Sequence, residues 1–126
     1  MIDLTSKTAV LVEDDAWQAE LFIRQLKISG MQVWHERDPA TALRAIDEHK
    51  PDVIVADLLL SGSTGLVLFH ELQSHSDLGK IPIVVVSSVA DSISIDQLQA
   101  YGVKKIIDKL TMTPDDLPAA IRGAVA

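Results

Sequence analysis

The amino-acid sequence predicts an α/β fold, a doubly wound parallel sheet. Three short apolar runs rich in β-branched residues, 8–12, 53–56 and 83–86, do not alternate with polar residues, as expected of strands covered on both faces. Segments with apolar residues at helical spacing separate these runs. The connections are short, so strands and helices alternate along the chain, the pattern of right-handed βαβ crossovers.

The first strand, Thr8 to Val12, is followed by a helix from Ala16 to Ser29. Leu21, Phe22, Leu26 and Ile28 lie on that helix, and Gly30 ends it. Gln32-Val33-Trp34-His35 alternates apolar and polar residues and predicts an edge strand. Asp38 is placed to cap a second helix with Pro39 at its first position, and Ala42, Leu43 and Ile46 form its inner face. Val53-Ile54-Val55-Ala56 is the third strand. A loop follows from Leu58, and a helix runs from Gly65 to Ser74 on Leu66, Leu68, Phe69 and Leu72. Residues 74–80 read as a surface loop before the fourth strand, Ile83 to Val86. A shorter helix from Ile93 to Tyr101 stops at Gly102, and Val103 to Ile107 is a weaker fifth strand. Thr113-Pro114-Asp115-Asp116 opens the last helix with an N-cap, a first-position proline and acids in the first turn. Five strands and five helices in this alternation fit the flavodoxin-like (βα)5 order 2-1-3-4-5, whose ligand crevice lies at the carboxyl ends of strands one and three.

A length of 126 residues favours one domain, taken as residues 1–126. A chain of this size buries roughly two-thirds of its unfolded surface, enough for a core without staples. With no cysteine there is no disulfide, thiolate metal site or cysteine nucleophile. Eleven Lys and Arg against eighteen Asp and Glu give a net charge of −7, which argues against direct nucleic-acid binding. No apolar run approaches the ~18 residues of a membrane span, and the first residues have no signal-peptide pattern, so a cytoplasmic protein is expected.

The strand ends carry the chemistry. Strand one ends in Glu13-Asp14-Asp15, strand three in Asp57, strand four in Ser87 and strand five, after Asp108, in Lys109. A carboxylate at the tip of a buried strand is costly to desolvate unless something compensates it. Acid, acid, hydroxyl and lysine at converging tips describe a site for a divalent cation and a phosphoryl group. Crowded hard oxygens suit Mg²⁺ or Mn²⁺. Asp15 has a second reading as the cap of the following helix. Ser88 is an alternative donor to Ser87, although neighbouring strand residues point to opposite faces. A lysine at position 109 can pair with Asp57 in an empty site and with a phosphoryl group in a loaded one.

These positions resemble the receiver domain of two-component response regulators over essentially the whole chain. The resemblance is carried by Ala9-Val10-Leu11-Val12-Glu13-Asp14-Asp15, by 57–65 from Asp57 to Gly65, by 81–87 from Ile81 to Ser87, and by 102–109 from Gly102 to Lys109. It implies that Asp57 accepts a phosphoryl group from a sensor histidine kinase or histidine phosphotransfer protein. Asp14, Asp57 and the backbone carbonyl of Leu59 would bind Mg²⁺, and Glu13 would hold a metal-bound water. Ser87 and Lys109 would contact the phosphoryl group, and the change would be passed to a downstream protein target. Catalysis would be limited to the domain's own phosphorylation and dephosphorylation. Homodimerisation through helix four, strand five and helix five stays open, because the residues there carry no pattern that predicts it.

Three departures from the family pattern stand out. Leu110 follows Lys109 where a cis proline is usual, and a cis bond before leucine costs about 2.5–4 kcal/mol, so a trans bond and a rebuilt loop are expected. Ile106 stands where strand five usually carries an aromatic switch residue. The segment Leu60-Ser61-Gly62-Ser63 lacks the usual proline, so greater mobility is expected there. These departures motivate the alternative of a pseudo-receiver, an interaction module not switched by phosphate. An enzyme on a similar sheet fits less well: an aspartyl phosphatase resembling the haloacid dehalogenase family needs an aspartate where Leu59 stands, and a flavodoxin needs a hydroxyl-rich loop where Glu13-Asp14-Asp15 stands.

His35, His49, His70 and His75 are expected at solvated surface positions, and Trp34 in packing. Trp17, just past the acidic cluster, either covers the site mouth, contacts a partner or packs on its own helix.

Overall fold

The computed structural model describes residues 2–60, 63–90 and 94–126. The five strands are β1 Thr8–Val12, β2 Gln32–Glu36, β3 Val53–Ala56, β4 Ile83–Ser87 and β5 Val103–Asp108. They form one sheet in the order β2-β1-β3-β4-β5, every neighbouring pair parallel. The predicted doubly wound order is therefore present.

The non-alternating runs are buried on both faces. Val10, Val12, Ile54, Ala56, Ile83 and Val85 pack under α2 (Pro39–His49), α3 (Gly65–Gln73) and α4 (Ile95–Leu98). Ala9, Leu11, Val53, Val55, Val84 and Val86 pack under α1 (Ala16–Ile28) and α5 (Asp116–Val125). Residues one apart thus face opposite layers, as a pleated strand requires. Phe22 and Leu26 from α1 and Phe69 from α3 are the large buried anchors. Burying such a side chain contributes about 1.5–3 kcal/mol each.

Local chemistry sets the element ends. Asp38 accepts the Thr41 N–H at 2.9 Å, and Pro39 opens α2. Gly30 sits at φ 86° behind α1, and a Cβ there would meet Thr5. Gly102 sits at φ 87° ahead of β5. The bond between Lys109 and Leu110 is trans, as expected, since no peptide bond among the described residues is cis.

Four expectations need correction. Residues 74–80 contain a 3₁₀ turn, Leu78–Lys80, because Leu78 inserts into the core beneath α2 and α3. The loop after Asp57 contains an antiparallel pair, Leu59–Leu60 with Ser63–Thr64. Regular helix α5 begins at Asp116, because Thr113 donates its N–H and hydroxyl to the Asp116 carboxylate (2.8 and 3.0 Å) and holds the entry turn outside the helix. The histidines are not uniformly solvated: His49 stacks on Trp34 at 3.9 Å and His35 contacts the acidic loop, whereas His70 meets the Tyr101 hydroxyl at 2.9 Å on the surface. His70 and His75 are exposed as expected, and His35 and His49 are half-buried. Ser61 and Gly62, the centre of the proline-less segment, lie outside the described residues, as does Ile93, the expected start of the fourth helix.

Candidate functional site

The carboxyl ends of β1, β3, β4 and β5 meet at one rim. The N–H of Asp57 donates to Val12 O at 3.2 Å, which fixes the tip of β3 against β1. The N–H of Lys109 donates to Ser87 O at 3.1 Å and extends the β4–β5 pairing by one step. Backbone pairing therefore carries residues distant in sequence to a common edge.

Lys109 is the centre of the site. Its Nζ lies 2.6 Å from Glu13 Oε1 and 2.7 Å from Asp57 Oδ2. All three side chains are largely withdrawn from solvent. The ammonium also sits 6.0 Å from the centroid of the buried Phe22 ring, whose π face favours a cation. Burial pushes the Glu13 carboxyl above its ordinary value, and the hydrogen bond and charge of Lys109 offset this only in part. For Lys109, burial acts against the charged form, but hydrogen bonds to Asp57 and Glu13 outweigh it and raise the ammonium above its ordinary value.

The second oxygen of Asp57, Oδ1, accepts the Leu59 N–H at 3.0 Å. Gly65 N–H donates to Leu58 O at 2.9 Å, so the chain returns tightly past the site. A Cβ at position 65 would lie 2.6 Å from Asp57 O, an approach only glycine permits. Ser87 is fully buried, and its hydroxyl accepts the Val89 N–H at 3.2 Å.

The remaining candidates separate by position. Asp14 is half-buried beside Glu13, and its carbonyl accepts from Arg37 at 3.0 Å. Asp15 is the α1 cap: its Oδ1 accepts the N–H groups of Trp17 (2.9 Å) and Gln18 (3.3 Å). The side chain of Leu59 is exposed and Ser88 is exposed, while Ile106 is half-buried against the α2–α4 core. Trp17 is 84% exposed, which removes the packing alternative for it. His35 and Arg37 reach the acidic loop although the sequence singled out neither for this. The available signal was their place at the carboxyl end of the edge strand beside β1, His35 within it and Arg37 just past it.

The donor set fits a hard divalent cation. The carboxylates of Glu13 and Asp57 already converge on one positive charge, and both present hard oxygen donors. No group of three or more His, Cys, Asp or Glu side chains forms a metal cage among the described residues. Mg²⁺ does not need one, because it is held by one or two carboxylates and keeps several waters.

Comparison with known proteins decides the family. The family described as response regulator receiver domain matches residues 9–122. The chain belongs to this family. Among its relatives, the polar-differentiation response regulator DivK of Brucella anthropi is 28% identical over 108 residues, covering 86% of this chain and 88% of DivK. In fold the receiver is similar to a sensor protein from Polaromonas sp. JS666 (TM-score 0.87, 23% identity, 94% and 95% of the two chains). It is also similar to the receiver domain of the sensor histidine kinase PA1611 of Pseudomonas aeruginosa PAO1, whose active site cleft coordinates a magnesium ion (TM-score 0.81, 21% identity, 97% and 100%). The chain is thus a receiver of the two-component type, a signalling module. No helix among the described residues is long and apolar enough to cross a membrane.

Proposed function

We propose that Asp57 is the phosphoacceptor of this receiver, taking a phosphoryl group from the phospho-histidine of a sensor kinase or phosphotransfer protein. The observation that carries this reading is the pairing of Asp57 Oδ2 with Lys109 Nζ at 2.7 Å. It places a nucleophilic carboxylate beside a cation that can transfer its hydrogen bonds to an incoming phosphoryl oxygen.

Phosphoryl transfer passes through a loose, roughly in-line transition state, so the domain's contribution is positioning and charge neutralisation. An oxygen of Asp57 attacks phosphorus, the P–N bond to the histidine breaks, and an acyl phosphate forms. Lys109 offsets the repulsion between the carboxylate and the phosphoryl group. The Ser87 hydroxyl, at the end of β4, would meet a second phosphoryl oxygen. Asp14, Asp57 and the Leu59 carbonyl would hold Mg²⁺ or Mn²⁺, with Glu13 holding a bound water. When bound, the ion supplies further neutralisation of the two negative reactants. The magnesium of the PA1611 receiver supports this assignment.

Residues 1–126 act in this reading as one receiver unit in the cytoplasm, whose phosphorylation changes its affinity for a downstream protein. Incubation with Mg²⁺ and acetyl phosphate tests it. Intact-mass analysis is expected to show one added phosphoryl group in wild type and none in Asp57→Asn. Absence of label in wild type with both acetyl phosphate and a cognate kinase removes the reading, and leaves the pseudo-receiver in its place.

A further inference from the structure

The acidic loop between β1 and α1 is three residues long, Glu13-Asp14-Asp15, and much of its backbone is tied down. Glu13 N–H donates to Glu36 O at 3.0 Å, and Asp15 N–H donates to Glu13 Oε2 at 3.3 Å. Asp15 O accepts the Ala19 N–H at 2.9 Å inside the helix. The carbonyls of Glu13 and Asp14 are met differently, by one side chain from the neighbouring strand β2 and one from just beyond its end. His35 Nε2 lies 2.7 Å from Glu13 O, and the Arg37 guanidinium lies 3.0 Å from Asp14 O. A carbonyl oxygen only accepts, so Nε2 of His35 carries the proton.

Strand geometry explains why His35 serves. His35 pairs with Leu11 across the β1–β2 ladder. His35 shares a strand face with Val33, which packs in the α1 layer, while Trp34 faces the other layer and stacks on His49 of α2; Arg37 lies one residue past the end of β2, from where its guanidinium reaches Asp14 O. The Glu13 carbonyl belongs to the peptide plane before Asp14, and the Asp14 carbonyl to the plane after it. Peptide planes are rigid, so holding both sets φ and ψ of Asp14 and the direction of its Cα–Cβ bond. Glu13 is likewise held on both sides, by Glu36 O and by His35.

We propose that His35 and Arg37 are positioning residues of the site: they clamp the two loop carbonyls and so aim the Glu13 and Asp14 carboxylates at the cation beside Asp57. This rests on the reading of Asp57 as phosphoacceptor with Mg²⁺ held next to it. Arg37 is exposed, so water could satisfy Asp14 O in its absence and a role limited to hydrogen bonding would leave ion affinity unchanged. The clamp affects affinity because it orients ligands before the ion arrives.

The test is a Mg²⁺ titration of wild type, His35→Leu, His35→Gln and Arg37→Ala, followed by the amide shifts of residues 13–15, with urea unfolding of each protein. His35→Leu is expected to weaken Mg²⁺ binding roughly tenfold, the lower end for loss of a group supporting metal ligands, and Arg37→Ala by about threefold. His35→Gln, which keeps an N–H donor, stays within about twofold of wild type on the same grounds. A folded His35→Leu that binds as wild type does, or a His35→Gln as weak as His35→Leu, overturns the proposal. If His35→Leu does not fold, wild-type affinity in Arg37→Ala overturns it, and weakened binding there with retained binding in His35→Gln supports it. Wild type that binds no Mg²⁺ removes the phosphoacceptor reading and the clamp together, whereas binding indifferent to these substitutions removes the clamp alone.

Discussion

Lys109 Nζ lies 2.7 Å from Asp57 Oδ2 although 52 residues separate the two in the chain. The same ammonium lies 2.6 Å from Glu13 Oε1, so one cation neutralises two buried carboxylates. Removing it leaves both uncompensated. Lys109→Ala is expected to lower metal-free stability by about 3 kcal/mol, the cost of breaking a buried pair from one side. Urea unfolding in a chelator measures this, and added Mg²⁺ is expected to narrow the difference by supplying the missing charge.

The same pairing predicts an alkaline limit. The folded-state value of Lys109 is raised above its ordinary one, so its contribution is fully present below about 10.5 and is lost as pH rises through the folded value. Unfolding free energy of the metal-free wild type is expected to fall more steeply across the alkaline range than that of Lys109→Met. Equal slopes in the two proteins contradict the prediction.

At the acid end the exposed helix cap of α2 behaves in the opposite sense. The Thr41 backbone N–H holds the Asp38 carboxyl below its ordinary value. The stabilisation is therefore present above the unfolded value and lost as pH falls through the folded one. Asparagine caps about as well without titrating. Asp38→Asn is expected to match wild type near neutrality and to show a shallower loss of stability on acidification, measured by urea unfolding over a pH series.

Gly65 tests how closely the chain passes behind Asp57. A methyl group there would meet Asp57 O at 2.6 Å, against backbone that has little room to yield. Gly65→Ala is expected to cost about 1–3 kcal/mol, as overpacking does. Amide shifts at Asp57, Leu58 and Leu59 are expected to change more than those in β2, which lies on the far side of β1.

Much of the sheet and the site rim can be read from the chain because strand burial writes itself into composition. Val53 to Ala56 has no polar residue, so the carboxyl group of Asp57 at its end is conspicuous. Lys109 becomes meaningful only once strand order brings its tip beside that of Asp57. Features made by single side-chain contacts are less legible. His35 and Arg37 look like ordinary polar residues at the end of an edge strand, because a hydrogen bond to a distant loop carbonyl leaves no periodic trace. Leu78 looks like a lone apolar residue in a polar loop, and only the groove between α2 and α3 explains its burial. The Leu59–Leu60 and Ser63–Thr64 pair is too short for alternation to register. Asp15 carries two readings in the sequence, and the bonds from Trp17 and Gln18 make it a cap.

Borohydride trapping after incubation with Mg²⁺ and acetyl phosphate shows which residue carries the phosphoryl group. An acyl phosphate at Asp57 is reduced to homoserine, which peptide mass spectrometry locates by position. Homoserine is expected at position 57, dependent on Mg²⁺ and absent from Asp57→Asn. Homoserine at another aspartate, or an unmodified position 57 in a protein that has gained phosphate, would contradict it.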